Sequence, residues 1–87
     1  MKTFATAGTF ESNDCIVTVK KSDNLTIEIE SVVFEQFGAQ IERVARLTLK
    51  EMNISQIHLY IKDKGALDYT VIARIKTACK RLGVYHA

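Results

Sequence analysis

Strict alternation of apolar and polar residues is the feature that most constrains how this chain can fold. Residues 25–30, Leu-Thr-Ile-Glu-Ile-Glu, place three apolar side chains on one face of an extended segment and three polar side chains on the other. Residues 15–21 and 55–62 alternate in the same way. A period of two, rich in β-branched residues, is typical of strands that bury one face. The chain is therefore expected to build a sheet whose apolar side is covered by other elements.

The polar segment 22–24, Ser-Asp-Asn, separates two of these strands and has the composition of a turn. We therefore predict that strands 15–21 and 25–30 pair as a β-hairpin. A loop of this length would set Thr18 opposite Glu28, so that the outer face is consistently polar.

Two further segments carry helical periodicity. Ser31 is a plausible N-cap for a helix that runs to about Met52. Gly38 lies inside it and indicates a kink or a close approach to the sheet. A second helix is predicted over 67–82, with Gly83 as its C-terminal stop. The apolar stripes comprise Phe34, Phe37, Ile41, Val44 and Thr48 in the first helix, and Val71, Ile75, Ala78 and Leu82 in the second.

A weaker strand is predicted over 3–11, at an edge of the sheet or irregular in form. If it forms, Ser12 lies at the tip of the turn into the next strand. The element order is then (β)ββαβα in one domain, residues 1–87. Two helices that bury their stripes on one face of a small sheet give an α+β fold, a two-layer sandwich.

Composition excludes several classes of function. The net charge of +2 is too small for the electrostatic footprint of a nucleic-acid-binding protein. No apolar run approaches the roughly 18 residues of a membrane span, and residues 1–5 lack the apolar core of a secretory signal. We therefore expect a cytoplasmic protein with neither a nucleic-acid nor a membrane partner. Cys15 and Cys79 show no metal-ligand spacing, so we expect buried free thiols and no metal site.

The chain is poor in arrangements that could catalyse a reaction. Neither His58 nor His86 is accompanied by a nucleophile motif. General acid–base chemistry needs a pocket as well as carboxylates, and a domain this small has little depth for one. We therefore expect no catalytic residues. The carboxylates that could meet, if two turns of the fold lie side by side, are Glu11, Asp14, Asp63 and Asp68.

Two junctions between the patterned segments remain, residues 7–14 and residues 63–68. Ser12 lies in the first junction, among polar and acidic neighbours that make its hydroxyl a poor nucleophile. A hydroxyl on an exposed turn is nevertheless accessible to a second, modifying enzyme.

These junctions resemble a known family. Residues 7–14, Ala-Gly-Thr-Phe-Glu-Ser-Asn-Asp, are similar to the Ala-Gly-Thr-Leu-Glu-Ser-x-Asp segment of the acyl carrier (gamma) subunit of citrate lyase. Residues 36–38, Gln-Phe-Gly, residues 63–68, Asp-Lys-Gly-Ala-Leu-Asp, and residues 73–74, Ala-Arg, also match, in the same order. The chain departs from the family pattern at Phe10, at Asn13 and at Tyr69, where leucine, a small residue and cysteine are usual.

The resemblance implies a carrier without a catalytic step of its own. It implies that Ser12 holds 2'-(5''-phosphoribosyl)-3'-dephospho-CoA through a phosphodiester, and that the thiol of this arm carries acetyl and citryl groups during citrate fermentation. The implied partners are the transferase (alpha) and lyase (beta) subunits and an arm-attaching transferase. The residues placed near the attachment site are Glu11, Asp14, Asp63, Lys64, Gly65 and Asp68.

Alternatives stay open at this stage. The carrier subunit of malonate decarboxylase uses the same arm, although its serine segment matches less well. The chain could also be an interaction domain that kept the fold without the arm. The 63–68 junction is either read by the transferase or by partner subunits, or is simply a strand-to-helix turn with Gly65 serving the backbone.

Overall fold

The computed structural model describes residues 3–86 as a four-stranded sheet with two helices packed on one face. The elements are β1 (Phe4–Gly8), β2 (Cys15–Lys21), β3 (Leu25–Ser31), α1 (Phe34–Glu51), β4 (Ile57–Asp63) and α2 (Asp68–Leu82). The α+β class, the two layers and the element order predicted from the sequence are confirmed. The weak first strand is real but shorter than predicted, because it ends at Gly8.

The predicted hairpin is wrong, because the sheet order is β1-β2-β4-β3. Strand β4 lies between β2 and β3, antiparallel to the first and parallel to the second, so Thr18 pairs with Tyr60 rather than with Glu28. Lys21 and Leu25 flank Ile57 on its two sides. The segment 22–24 therefore crosses from β2 to β3 over β4, a distance of two strand spacings or about 10 Å. The four steps from Lys21 to Leu25 can span roughly 13 Å, so the segment is long enough.

The reason for this order is the burial of β4. Ile57, Leu59 and Ile61 of β4 are at most 1% exposed, so this strand gains most from a neighbour on each side. Strand β3 carries Glu28 and Glu30 on its outer face, and it takes the edge. Charged side chains suit an edge strand because they discourage further pairing.

Both cysteines lie in the core between the sheet and the helices. Cys15 and Cys79 are free thiols with no exposed surface, as the sequence predicted. The rest of this core is apolar: Ala5, Ala7, Val17, Val19, Ile41, Ala45, Leu49, Met52, Val71, Ile75, Ala78 and Leu82, with the β4 residues.

The start of α1 differs from the prediction. Ser31 is the last residue of β3 rather than an N-cap, and Val33 occupies the cap position without a side-chain hydrogen bond. Phe34 and Phe37 are about half exposed, so the buried stripe begins only after them. A Cβ on Gly38 would lie 2.7 Å from the ring of Phe34, so the close approach at this glycine is to its own helix rather than to the sheet.

The end of α2 agrees with the prediction. Gly83 has a left-handed φ of 89°, and its N–H donates to the carbonyls of Cys79 and Lys80. Over residues 3–86, neither helix combines the length and the apolar character that crossing a bilayer requires.

Candidate functional site

The two junctions singled out in the sequence lie side by side in the structure. Beyond the last β2–β4 pair, the backbone N–H of Asn13 donates to the carbonyl of Lys64 at 2.8 Å. The N–H of Lys64 donates in turn to the carbonyl of Asp14 at 2.9 Å. The side chain of Lys64 also places its Nζ 5.1 Å from the centre of the Phe10 ring. The loop that holds Ser12 is therefore joined to the 63–68 corner by two backbone hydrogen bonds.

Ser12 lies in the exposed turn of this loop. The N–H of Asp14 donates to the carbonyl of Glu11 at 3.1 Å and closes the turn, and Asn13 adopts a φ of 65° to make it. Asparagine tolerates this left-handed conformation better than most residues. Across the part of the chain that the structure describes, no group hydrogen-bonds the Ser12 hydroxyl. The hydroxyl is accessible to another molecule.

Asp14 anchors the loop to helix α2. Arg74 donates to both carboxylate oxygens of Asp14, from Nε at 3.0 Å and from Nη2 at 2.8 Å. Thr9 Oγ1 and the N–H of Cys15 donate to the same carboxylate, each at 2.7 Å. The hydrogen bonds from Arg74, followed by that from Thr9, hold the pKa of Asp14 well below its usual range. Asp14 therefore stays ionised and is a very weak proton acceptor.

Gly8 allows the two ends of the loop to approach. Its φ is 104°, and a Cβ there would lie 1.9 Å from the carbonyl oxygen of Cys15 and 3.2 Å from Cδ of Arg74. Only glycine fits between the backbone of β2 and the Arg74 side chain. A glycine inside a predicted strand is a recognised sign of close backbone approach, so this constraint was readable from the sequence.

Asp63 organises the other side of the site. Its side chain is buried, and it accepts hydrogen bonds from Ser31 Oγ at 2.8 Å, from the N–H of Gly65 at 3.1 Å and from that of Ala66 at 2.9 Å. The Ser31 hydroxyl also accepts from the N–H of Val33 at 3.1 Å, so this bond lies before the first residue of α1, Phe34. Asp63 thus holds the strand-to-helix turn, and this contact pattern supports a structural role for that residue.

The four carboxylates considered from the sequence do not form one cluster. Asp14 is paired with Arg74, Asp63 is buried in its turn, and Asp68 accepts from Gln40 Nε2 at 3.0 Å. Glu11 is exposed beside Ser12. Among residues 3–86 no group of His, Cys, Asp and Glu side chains is arranged to hold a metal ion.

Arg74 and Thr9 complete the site, and sequence reasoning did not single them out as site residues. In the sequence, Arg74 belongs to the matched segment 73–74 and carries no other sign of a site residue. It lies 60 residues from Asp14 along the chain, and no local pattern indicates a pair at that separation. Its cation offsets one of the two acids in the loop, so the surroundings of Ser12 are less acidic than composition indicates.

A cleft of about 550 Å³ opens on the other side of the 63–68 corner. It lies between the start of α1 and the start of α2, and its polar residues are Asp63 and the hydrogen-bonded pair Gln40 and Asp68. The sequence had led us to expect little depth for a pocket in a domain this small, so this cleft was not predicted. The apolar lining consists of Val33, Phe37, Ile41, Ala66, Leu67 and Tyr69.

A family model and several known proteins each match most of the chain. A family model described as malonate decarboxylase delta subunit matches residues 2–82. A protein of Treponema denticola named citrate lyase acyl carrier protein is 42% identical over 81 residues, covering 93% of each chain. A protein of Haemophilus influenzae with the same name is 48% identical over 77 residues, covering 88% of this chain and 81% of its own. A third protein with this name, from Lactiplantibacillus plantarum, is 45% identical over 82 residues, covering 93% of this chain and 85% of its own.

Proposed function

Since this chain belongs to the citrate lyase acyl carrier protein family, we propose that it is the acyl carrier subunit of a citrate lyase, with its prosthetic arm attached to Ser12. The observation that carries the proposal is the position of Ser12. Its exposed hydroxyl lies at the tip of a loop that is hydrogen-bonded on one side to the 63–68 corner and on the other to α2.

The residues present fit a phosphoribosyl-dephospho-coenzyme A arm joined through Ser12 Oγ. An attachment point must be reachable, and the Ser12 hydroxyl is exposed without a partner among residues 3–86. It must also be rigidly mounted, and the Arg74–Asp14 pair and the Asn13–Lys64 bond meet that need. When bound, the arm supplies a thiol that can hold an acyl group as a thioester.

The anchored carboxylate of the loop, Asp14, is not a base that could activate the Ser12 hydroxyl for attachment of the arm. Asp14 is the carboxylate held next to the turn, and its bonds to Arg74 keep its pKa low. A carboxylate so stabilised in its ionised form does not take the proton from a serine hydroxyl at useful rates. We therefore propose a separate arm-attaching transferase that brings its own base and reads the 63–68 corner beside Ser12.

The carrier role requires no bond-breaking step from this chain. Tethering raises the effective concentration of the carried acyl group at each partner's active site, to the millimolar range for a flexible tether. The proposed partners are the transferase (alpha) and lyase (beta) subunits of the complex. The chain's contribution is a small rigid body that holds Ser12 outward.

Intact-protein mass spectrometry tests this proposal. The chain is co-expressed with the arm-attaching transferase and its activated donor, alongside Ser12→Ala and the control Ser55→Ala. Ser55 is an exposed loop serine that precedes the start of β4, at the opposite end of this strand from the 63–68 corner. We expect an adduct of the arm's mass on the wild type and on the control, and none on Ser12→Ala. An adduct that persists in Ser12→Ala would overturn the proposal, and so would an unmodified wild type; the second result would favour an interaction domain without the arm.

The description of the matching family model favours one other candidate, the carrier subunit of a malonate decarboxylase. The two functions share the arm and differ in the partner subunits. Adding the loaded carrier to citrate lyase subunits and, separately, to malonate decarboxylase subunits distinguishes them. We expect turnover of citrate to oxaloacetate, and malonate decarboxylation alone would assign the second function.

A further inference from the structure

We propose that the cleft between α1 and α2 is a binding site for the adenine ring of the arm attached to Ser12. This inference rests on the proposed function, because it requires an arm on that serine. It adds a second, non-covalent point of attachment that holds the near end of the arm against the protein.

The cleft and the Ser12 loop meet at the 63–68 corner. Its wall includes Gly65, and a Cβ at Gly65 would lie 3.6 Å from Oδ1 of Asn13, the residue after Ser12. The backbone bonds of Lys64 to Asn13 and Asp14 keep this wall and the loop together. Along the arm, adenine is the first planar group after the phosphate and the two sugars. It is therefore the part of the arm that a neighbouring cleft can take while the thiol end stays free.

The walls suit a flat aromatic ring. Phe37, Leu67 and Tyr69 are 48%, 58% and 70% exposed, which is an unusual amount of apolar surface for three neighbouring side chains. The cleft volume of about 550 Å³ lies inside the range of small-molecule sites. Stacking of a base on an aromatic side chain is favourable for every base, because each has a π-face.

The polar groups of the cleft favour the base over the other parts of the arm. Asp68 can accept a hydrogen bond from the exocyclic amino group of adenine, and Gln40, which donates to Asp68 at 3.0 Å, also offers an amide oxygen. The carboxylates of Asp68 and the buried Asp63 repel the diphosphate that follows the adenosine. The neutral base therefore enters and the charged groups stay outside.

Nuclear magnetic resonance of isotope-labelled holo protein tests the inference, after mass spectrometry has shown the arm on Ser12. We expect nuclear Overhauser contacts from the adenine H2 and H8 protons to the rings of Phe37 and Tyr69. Tyr69→Ala should lower the equilibrium constant for docking about fivefold or more. The control Leu47→Ala removes a 53% exposed apolar side chain of α1 that does not line the cleft, and it should leave the docking equilibrium unchanged.

The outcomes separate the two proposals. An unmodified Ser12 overturns the proposed function and this inference together. A modified Ser12 whose adenine protons show no contact with the cleft, and no response to Tyr69→Ala, overturns this inference alone. Contacts from the pantetheine methyl groups in place of adenine would also overturn it. Thermal unfolding of each variant checks that these exposed substitutions leave the fold intact.

Discussion

Replacing Gly8 by alanine should destabilise the protein far more than the same replacement at Gly83. Both glycines have a positive φ, 104° and 89°, where an L side chain is strained by about 1–2 kcal/mol. At Gly83 a Cβ would meet nothing within 4 Å, so strain is the whole cost. This variant therefore measures the backbone term by itself.

At Gly8 the added Cβ would meet backbone atoms. It would lie 1.9 Å from the carbonyl oxygen and 3.0 Å from the carbonyl carbon of Cys15, which cannot rotate away as a side chain can. Overpacking of this kind costs about 1–3 kcal/mol more, since the strand must shift. We expect a loss of unfolding free energy of about 1–2 kcal/mol for Gly83→Ala and about 2–5 kcal/mol for Gly8→Ala.

Urea denaturation followed by circular dichroism measures both losses, with unchanged m-values as the check on two-state behaviour. In a domain of this size each kcal/mol corresponds to a fall in Tm of about 4–8 °C. Equal losses in the two variants would refute the argument, because they would show that no close contact with Cys15 exists at Gly8. A larger loss at Gly8 would support the packing of the β1–β2 loop on which the position of Ser12 depends.

Two further predictions concern charge and thiols. Because Arg74 lowers the pKa of Asp14, the ionised form stabilises the native state above the ordinary carboxyl pKa of about 4 and this contribution is lost as the pH falls below it. In urea titrations, the difference in unfolding free energy between wild type and Asp14→Asn should therefore be constant from about pH 5 to pH 8 and smaller at about pH 3. An undiminished difference at that lower pH would contradict the pairing of Asp14 with Arg74. Burial raises the pKa of both Cys15 and Cys79 to about 11, so native apo protein should not react with Ellman's reagent, whereas deacylated holo protein should show one reactive thiol, that of the arm. Rapid labelling of native apo protein would show that the core opens.

The sequence and the structure agree wherever a pattern is local. Alternation placed Val17, Leu59 and their neighbours on the buried face, because side chains in a strand point to opposite sides. Gly83 ended α2 as predicted, because only glycine takes a left-handed cap without strain. The exposed turn at Ser12 follows from the two strands that flank it.

Local signals failed where a distant residue competed for the same group. Ser31 has the composition of an N-cap, yet β3 extends through it to pair with Asp63 of β4, which lies 32 residues away along the chain. The turn 22–24 could connect β2 and β3 as neighbours, and it is also long enough to connect them across a third strand between them. The burial of β4 decided between these two, and the hairpin prediction had no access to that information.

The sequence by itself determined the elements, their apolar faces and the serine on an exposed turn, because each depends on residues within a few positions of one another. Only the tertiary structure decided the strand order, the Arg74–Asp14 anchor and the cleft beside the 63–68 corner. Each of these joins residues that are far apart in the chain. Their contact depends on how the elements pack, and a contact of that kind leaves no periodic signal in the sequence.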